Sequence, residues 1–182
     1  MRWSLKLKIR FLLLATISGF IIALDQLTKM YIHTQFRLGE SRNVIAGLFD
    51  LTYIRNPGAA FGIFSTAHAG FRGPFFMMIP VIAVCFILYV LWKTPDSDRL
   101  QTFALSLVFG GAIGNYIDRI RFGYVIDFLL FYYPKDVTIL GRHYRGPLEW
   151  PAFNVADSAI VCGITILLAL ISLKKEVKKA SS

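Results

Sequence analysis

The chain has 182 residues, 55% of them hydrophobic, with a mean hydropathy of +0.56 and a formal net charge of +9. Soluble domains use about 45–50% apolar residues, so this composition argues against a water-soluble enzyme, and the length suits one domain over residues 1–182 better than two. In a membrane-bound chain a positive balance reads as contact with anionic lipid and as topology, and no motif points to a nucleic-acid partner.

Four apolar runs, 11–32, 74–92, 100–118 and 152–173, approach the roughly 20 residues a helix needs to cross a bilayer core. The first follows Arg2, Lys6, Lys8 and Arg10, as a signal peptide would. It is too long for one and leads to Asp25 and Lys29 rather than to a small-residue cleavage site, so it is read as a span. Residues 44–64 then mix apolar and aromatic side chains with Gly47, Gly58 and Gly62, as in short strands joined by turns. Asn56-Pro57-Gly58 signals a turn, since Pro57 fixes φ and Gly58 tolerates positive φ. Cys85 in the second run and Cys162 in the fourth read as small core residues, not as a disulfide or a metal pair. Gly110-Gly111 and Gly114 in the third predict close helix packing. The aromatic stretch 128–133 is expected at the membrane interface. Basic residues crowd both chain ends and the turn holding Lys93 and Arg99, and are thinly spread through loops 34–73 and 119–151. That density places both termini in the cytoplasm and the two long loops outside.

Carboxylates interrupt this apolar pattern. Asp25 lies inside the first run, Asp118 ends the third, Asp127 follows in Val125-Ile126-Asp127-Phe128, and Asp157 heads the fourth. At about 1.5 Å per residue, Asp25 and Asp118 fall about 22 and 27 Å along inner-to-outer spans, and Asp157 about 9 Å below an outer start. All three therefore lie in the outer third of a core about 30 Å thick, where Asp127 can join them. Acids at membrane depth are costly and usually functional, and with few metal ligands nearby they point to aspartyl chemistry at one shared site near the outer surface. Each also has a structural reading. Asp25 and Lys29 are spaced as an ion pair on one helix face, and Asp118 with Arg119 reads as a structural pair at a helix end. Asn56, Asn115 and Asn154 could bond turn or helix-end backbone, and Asp157 suits a helix first turn. The alternative from another class is a transporter subunit using its acids as a proton or cation path. No His-Glu-x-x-His, Gly-x-Ser-Gly or Gly-x-Gly-Asp occurs, which argues against zinc, serine and presenilin-type intramembrane peptidases.

Five motifs in order, Asp25-Gln26-Leu27-Thr28-Lys29, Asn56-Pro57-Gly58-Ala59-Ala60-Phe61-Gly62, the stretch from Gly110-Gly111 through Asn115 to Asp118-Arg119, Val125-Ile126-Asp127-Phe128 and Phe153-Asn154-Val155-Ala156-Asp157, closely resemble the motif set of bacterial lipoprotein signal peptidase, signal peptidase II. The resemblance implies an all-α integral membrane protein, a four-transmembrane-helix bundle with a small β-containing outer cradle and an interfacial loop. It implies Asp127 and Asp157 as catalytic residues of an aspartic endopeptidase. Asp25, Lys29, Asn56, Gly58, Asn115, Asp118, Arg119 and Asn154 become supporting or substrate-binding residues, with no metal and no cofactor. The implied setting is the bacterial inner membrane. The implied partners are a prolipoprotein with a lipidated cysteine, membrane lipid, and globomycin as inhibitor.

Overall fold

The computed structural model describes residues 5–58, 69–95, 97–133, 137–139, 141–144, 146 and 148–180. Residues 59–64, including Gly62 and the rest of the second motif, lie outside that set, as does His68. In chain order the elements are α1 (Leu5–Gln35), β1 (Ser41–Ile45), β2 (Phe49–Asn56), α2 (Ala69–Lys93), α3 (Arg99–Phe122), β3 (Val125–Tyr133), β4 (Val137–Ile139), β5 (Arg142–Tyr144), β6 (Leu148–Glu149) and α4 (Val155–Ala180). Within the helices, Ile9–Gln35, Pro74–Lys93, Arg99–Phe122 and Val155–Glu176 are long and apolar enough to cross a membrane. The first three expected runs are helical throughout, and the fourth is helical from Val155 onward. α2 begins before Pro74, so residues 69–73, expected as loop, are helix. The helix runs through Pro74 and Pro80, each removing one backbone donor from the ladder.

The central helix is α3. It packs on α1, α2 and α4, and 56% of its span is buried against 17% in each of the others. Its glycines allow this approach, as their spacing predicted. A Cβ on Gly110 would meet α1 at Ser18 and Ile21, one on Gly111 would meet the Ala156 carbonyl of α4, and one on Gly114 would lie 2.7 Å from Asp25 Oδ2. Gly114→Ala should therefore push α1 off α3, lowering stability by about 1–3 kcal/mol with a matching loss of activity. Thermal unfolding in detergent checks it.

Both long connections contribute to one antiparallel sheet, ordered β1-β2-β3-β6, so they lie at the same end of the bundle. The opposite end is tied by polar contacts. Arg10 donates to the carbonyls of Leu91 and Thr94, and Lys174 Nζ reaches Asp98 Oδ2 at 2.7 Å, so both ends of the chain meet the α2–α3 turn. The strands expected in 44–64 are present as far as Asn56, where Gly58 N–H donates to Asn56 Oδ1 at 3.0 Å and closes the expected turn. Residues 128–133 belong to β3, which lies between β2 and β6.

The expectation for the cysteines fails. Cys85 and Cys162 are exposed on the outer faces of α2 and α4 rather than in the core. A span is apolar on every side, so an apolar neighbourhood does not mark its inward face.

Candidate active site

α1 supplies a buried ionic centre. Lys29 Nζ lies 2.8 Å from Asp25 Oδ2, the i,i+4 pair the spacing predicted, and 3.0 Å from Asp118 Oδ2 on α3. It also donates to Asn115 Oδ1 at 2.8 Å. All three charged side chains are 2% exposed or less. A buried cation is tolerated only when its donors are matched, and here two carboxylates and an amide accept from it. Both carboxylates also accept backbone N–H groups. Asp25 Oδ1 accepts the Ala156 N–H at 2.9 Å, and Asp118 Oδ2 accepts the Ile126 N–H at 3.1 Å, tying α4 and β3 to the same centre.

Asp118 therefore turns to Lys29, correcting the expected Asp118–Arg119 pair. Consecutive residues on a helix do not face one another. Arg119 instead donates to the Asn115 and Gly58 carbonyls, each at 3.2 Å, and its guanidinium lies 5.5 Å from the centre of the Phe76 ring of α2.

The second layer holds the other two aspartates. Asn154 caps α4: its Oδ1 accepts the Asp157 N–H at 2.9 Å, while Asp157 Oδ2 accepts the Asn154 N–H at 3.3 Å, a reciprocal capping box. The structural reading of Asp157 as a first-turn acid thus holds, and the same contact fixes its carboxylate. The Asn154 amide donates to Asp127 Oδ1 at 2.7 Å, and Asn115 Nδ2 donates to Asp157 Oδ1 at 2.7 Å. Asn56 Nδ2 donates to Asp127 Oδ2 at 2.9 Å. Asn154 is thus bonded to both carboxylates, and four separate elements deliver their side chains to one place.

The sequence profile of Signal peptidase (SPase) II matches residues 17–173, which contain this whole cluster. The chain belongs to the signal peptidase II family. It is 48% identical over 160 residues to the lipoprotein signal peptidase of Syntrophus aciditrophicus, covering 87% of this chain and 92% of that one. It is 43% identical over 155 residues to that of Desulforapulum autotrophicum, covering 85% and 88%. A solved bacterial membrane enzyme superposes with a TM-score of 0.71 at 34% identity, covering 91% of this chain and 90% of the other. The protein is thus a multi-pass membrane protein of a peptidase family.

In this signal peptidase II family member, every candidate site residue named from the sequence falls in or beside the cluster, with Gly58 at its edge through its carbonyl to Arg119. Gln26 was quoted in the first motif but given no role. Its amide donates to Asp118 Oδ1 at 2.9 Å, to the Gly114 carbonyl at 3.1 Å and to Asp25 Oδ2 at 3.2 Å. Its position one residue from Asp25, on a polar stripe of an otherwise apolar helix, was the available signal.

Asp127 lies on β3, outside the spans, and is 2% exposed. Burial pushes its carboxyl up to about 7, the negative Asp157 adds to this, and the amides of Asn56 and Asn154 pull the other way. Two carboxyl groups in such a place resist double ionisation and can hold one proton between them near neutral pH.

Proposed function

We propose that this protein is an aspartic endopeptidase of the bacterial cytoplasmic membrane. It removes the signal peptide of a prolipoprotein, cutting just before a diacylglyceryl-modified cysteine, with Asp127 and Asp157 as the catalytic pair. The observation that carries the reading is the bonding of Asn154 to both carboxylates, its amide donating to Asp127 and its backbone N–H to Asp157, in a chain of this family.

The chemistry follows from one shared proton. The ionised carboxylate accepts a proton from water as the water oxygen adds to the scissile carbonyl carbon. The protonated partner donates to the oxygen that becomes negative. Collapse of the tetrahedral intermediate breaks the C–N bond, and the proton gained from water passes to the leaving cysteine nitrogen. Asn56 and Asn154 hold Asp127, and Asn115 holds Asp157 while itself fixed by Lys29. Arg119, half-buried beside Gly58, is suited to bind a substrate carbonyl. No step calls for a metal or cofactor.

The sheet and its loops form an outer cradle and an interfacial loop, and the end closed by Arg10 and Lys174 faces the cytoplasm, following the density of basic residues. The reacting groups then lie near the outer surface, within reach of water and of a substrate whose lipid is anchored in the outer leaflet. Globomycin is expected to block the same cleft. Reporter fusions after Ser182 or between Lys93 and Arg99 should report cytoplasm and fusions at Gly47 the outer side. A cytoplasmic signal at Gly47 would invert the arrangement.

The test of the reaction is incubation of the purified protein with a diacylglyceryl-modified preprotein, followed by mass spectrometry. The expected products are a free signal peptide and a chain beginning at the lipidated cysteine. No cleavage, or cleavage elsewhere, would overturn the assignment.

A further inference from the structure

β2 pairs with β3 in two registers. Leu51 stands opposite Leu129, yet Ile54 stands opposite Asp127, so Thr52 and Tyr53 together oppose Phe128. This is a β-bulge with one extra residue on β2. Its trace is visible in burial: Thr52 and Tyr53 are both buried, where a regular pleat would alternate. The backbone of Tyr53 bonds away from β3, its N–H donating to the Glu40 carbonyl at 3.0 Å and its carbonyl accepting the Gly39 N–H at 2.9 Å. Gly39 has φ +80°, a conformation that suits glycine. The Tyr53 side chain enters a core of Ile32, Phe36, Ile126 and Phe128. Its hydroxyl lies 2.6 Å from His33 Nδ1 and accepts from Arg55 Nε at 3.0 Å. The Arg55 guanidinium lies over the Tyr53 and Tyr124 rings, 5.4 and 4.8 Å from their centres.

The bulge decides which side chain of β2 stands beside Asp127. Residues opposite one another share a face, so with Ile54 opposite Asp127, Asn56 is on Asp127's face and Arg55 on the other. If the register of residues 49–51 continued unbroken, Tyr53 would oppose Asp127 and Arg55 would oppose Val125. A slip of one residue exchanges the faces. Arg55 would then flank Asp127, and Asn56 would be turned away.

We propose that Tyr53 is a positioning residue: as the extra residue of the bulge, anchored by His33 and the Gly39–Glu40 corner, it sets the phase of β2 so that a neutral amide, not a guanidinium, accompanies Asp127. The proposal rests on Asp127 being catalytic. Asp127 already faces Asp157 from α4, Lys29 from α1 and Arg119 from α3. A further cation at contact distance would favour its ionised form by about 1–3 pH units and remove the shared proton at neutral pH. The bulge withholds that cation.

The experiment measures kcat/KM against pH, with thermal unfolding, for cleavage of a lipidated preprotein by the full chain. Tyr53→Ala should lose activity at neutral pH and move the alkaline limb down by about one pH unit or more. Tyr53→Phe, which keeps the ring and loses the hydroxyl, should move it in the same direction by less, and it serves if Tyr53→Ala does not fold. Arg55→Gln alone should leave the profile unchanged. Added to either Tyr53 variant, it should return the limb to its wild-type position. A purely structural Tyr53 would lower the unfolding temperature with the limb unmoved and no rescue by Arg55→Gln, which overturns the proposal. Asp127→Asn, run alongside, separates the two claims. If it cleaves, the catalytic reading fails; if it is inactive while the limb stays fixed in the Tyr53 variants, only the positioning role fails.

Discussion

Asp127→Asn and Asp157→Asn should each reduce cleavage by at least about 100-fold, the lower end of what a positioned acid or base contributes. Neither should unfold the protein. Asparagine at 157 keeps an oxygen for the Asn154 N–H, so the cap on α4 survives. At 127 the sign of the linkage is informative. Burial raises the folded carboxyl from 3.8 to about 7, so its contribution to stability is present below about 4 and is lost as pH rises through about 7. Ionisation of Asp127 therefore opposes folding at neutral pH, and Asp127→Asn should unfold at the same temperature as the parent or higher. Thermal unfolding and initial cleavage rates, measured on the same preparations, check both halves. A variant that folds and cleaves at a substantial rate would remove that aspartate from the chemistry.

Replacing Lys29 by methionine should give the largest loss of stability. The substitution leaves Asp25 and Asp118 buried, with their cation gone, and Asn115 Oδ1 short of a donor. Truncating one member of a buried ionic group costs about 3–5 kcal/mol, because the remaining charge is uncompensated rather than because the pair itself was strongly stabilising. Asp118→Asn should cost less, since an amide still accepts from Lys29, and it should lower activity only partly. Lys174→Ala provides the contrast. Its pair with Asp98 is exposed on the lysine side, and such pairs contribute about 1 kcal/mol or less. Unfolding temperatures should be lowest for Lys29→Met, higher for Asp118→Asn and highest for Lys174→Ala. If Lys29→Met were as stable as Lys174→Ala, the buried centre would not hold α1, α3 and β3 together.

Much of the site was legible because an ionisable residue is conspicuous against an apolar helix. Asp25, Asp118 and Asp157 could be placed in the outer third of the membrane from residue counts, the i,i+4 spacing gave Lys29 to Asp25, and the glycines of α3 marked its close contacts. The missing information was pairing. Asp118 and Arg119 are adjacent in sequence, but a helix turns them apart, and only the three-dimensional packing gives Asp118 to Lys29. The strand β3 was also missed. Val125, Ile126, Asp127 and Phe128 are buried on both faces, so the run lacks the alternation that marks a half-exposed strand, and residues 128–133 read as an aromatic interfacial stretch instead. Cys85 and Cys162 were misplaced for the opposite reason, since lipid-facing and core-facing positions of a span share the same chemistry. The bulge at Thr52–Tyr53 leaves no local motif, because it is defined by its partner strand.

The central claim is that two carboxylates share one proton at the reacting centre, and the pH dependence of kcat/KM on a lipidated preprotein tests it most directly. The account predicts a bell. Activity should fall at low pH as both groups become protonated, and fall again above about 7 as the pair loses its shared proton. A rate that stayed level from neutral pH through the alkaline range would contradict it.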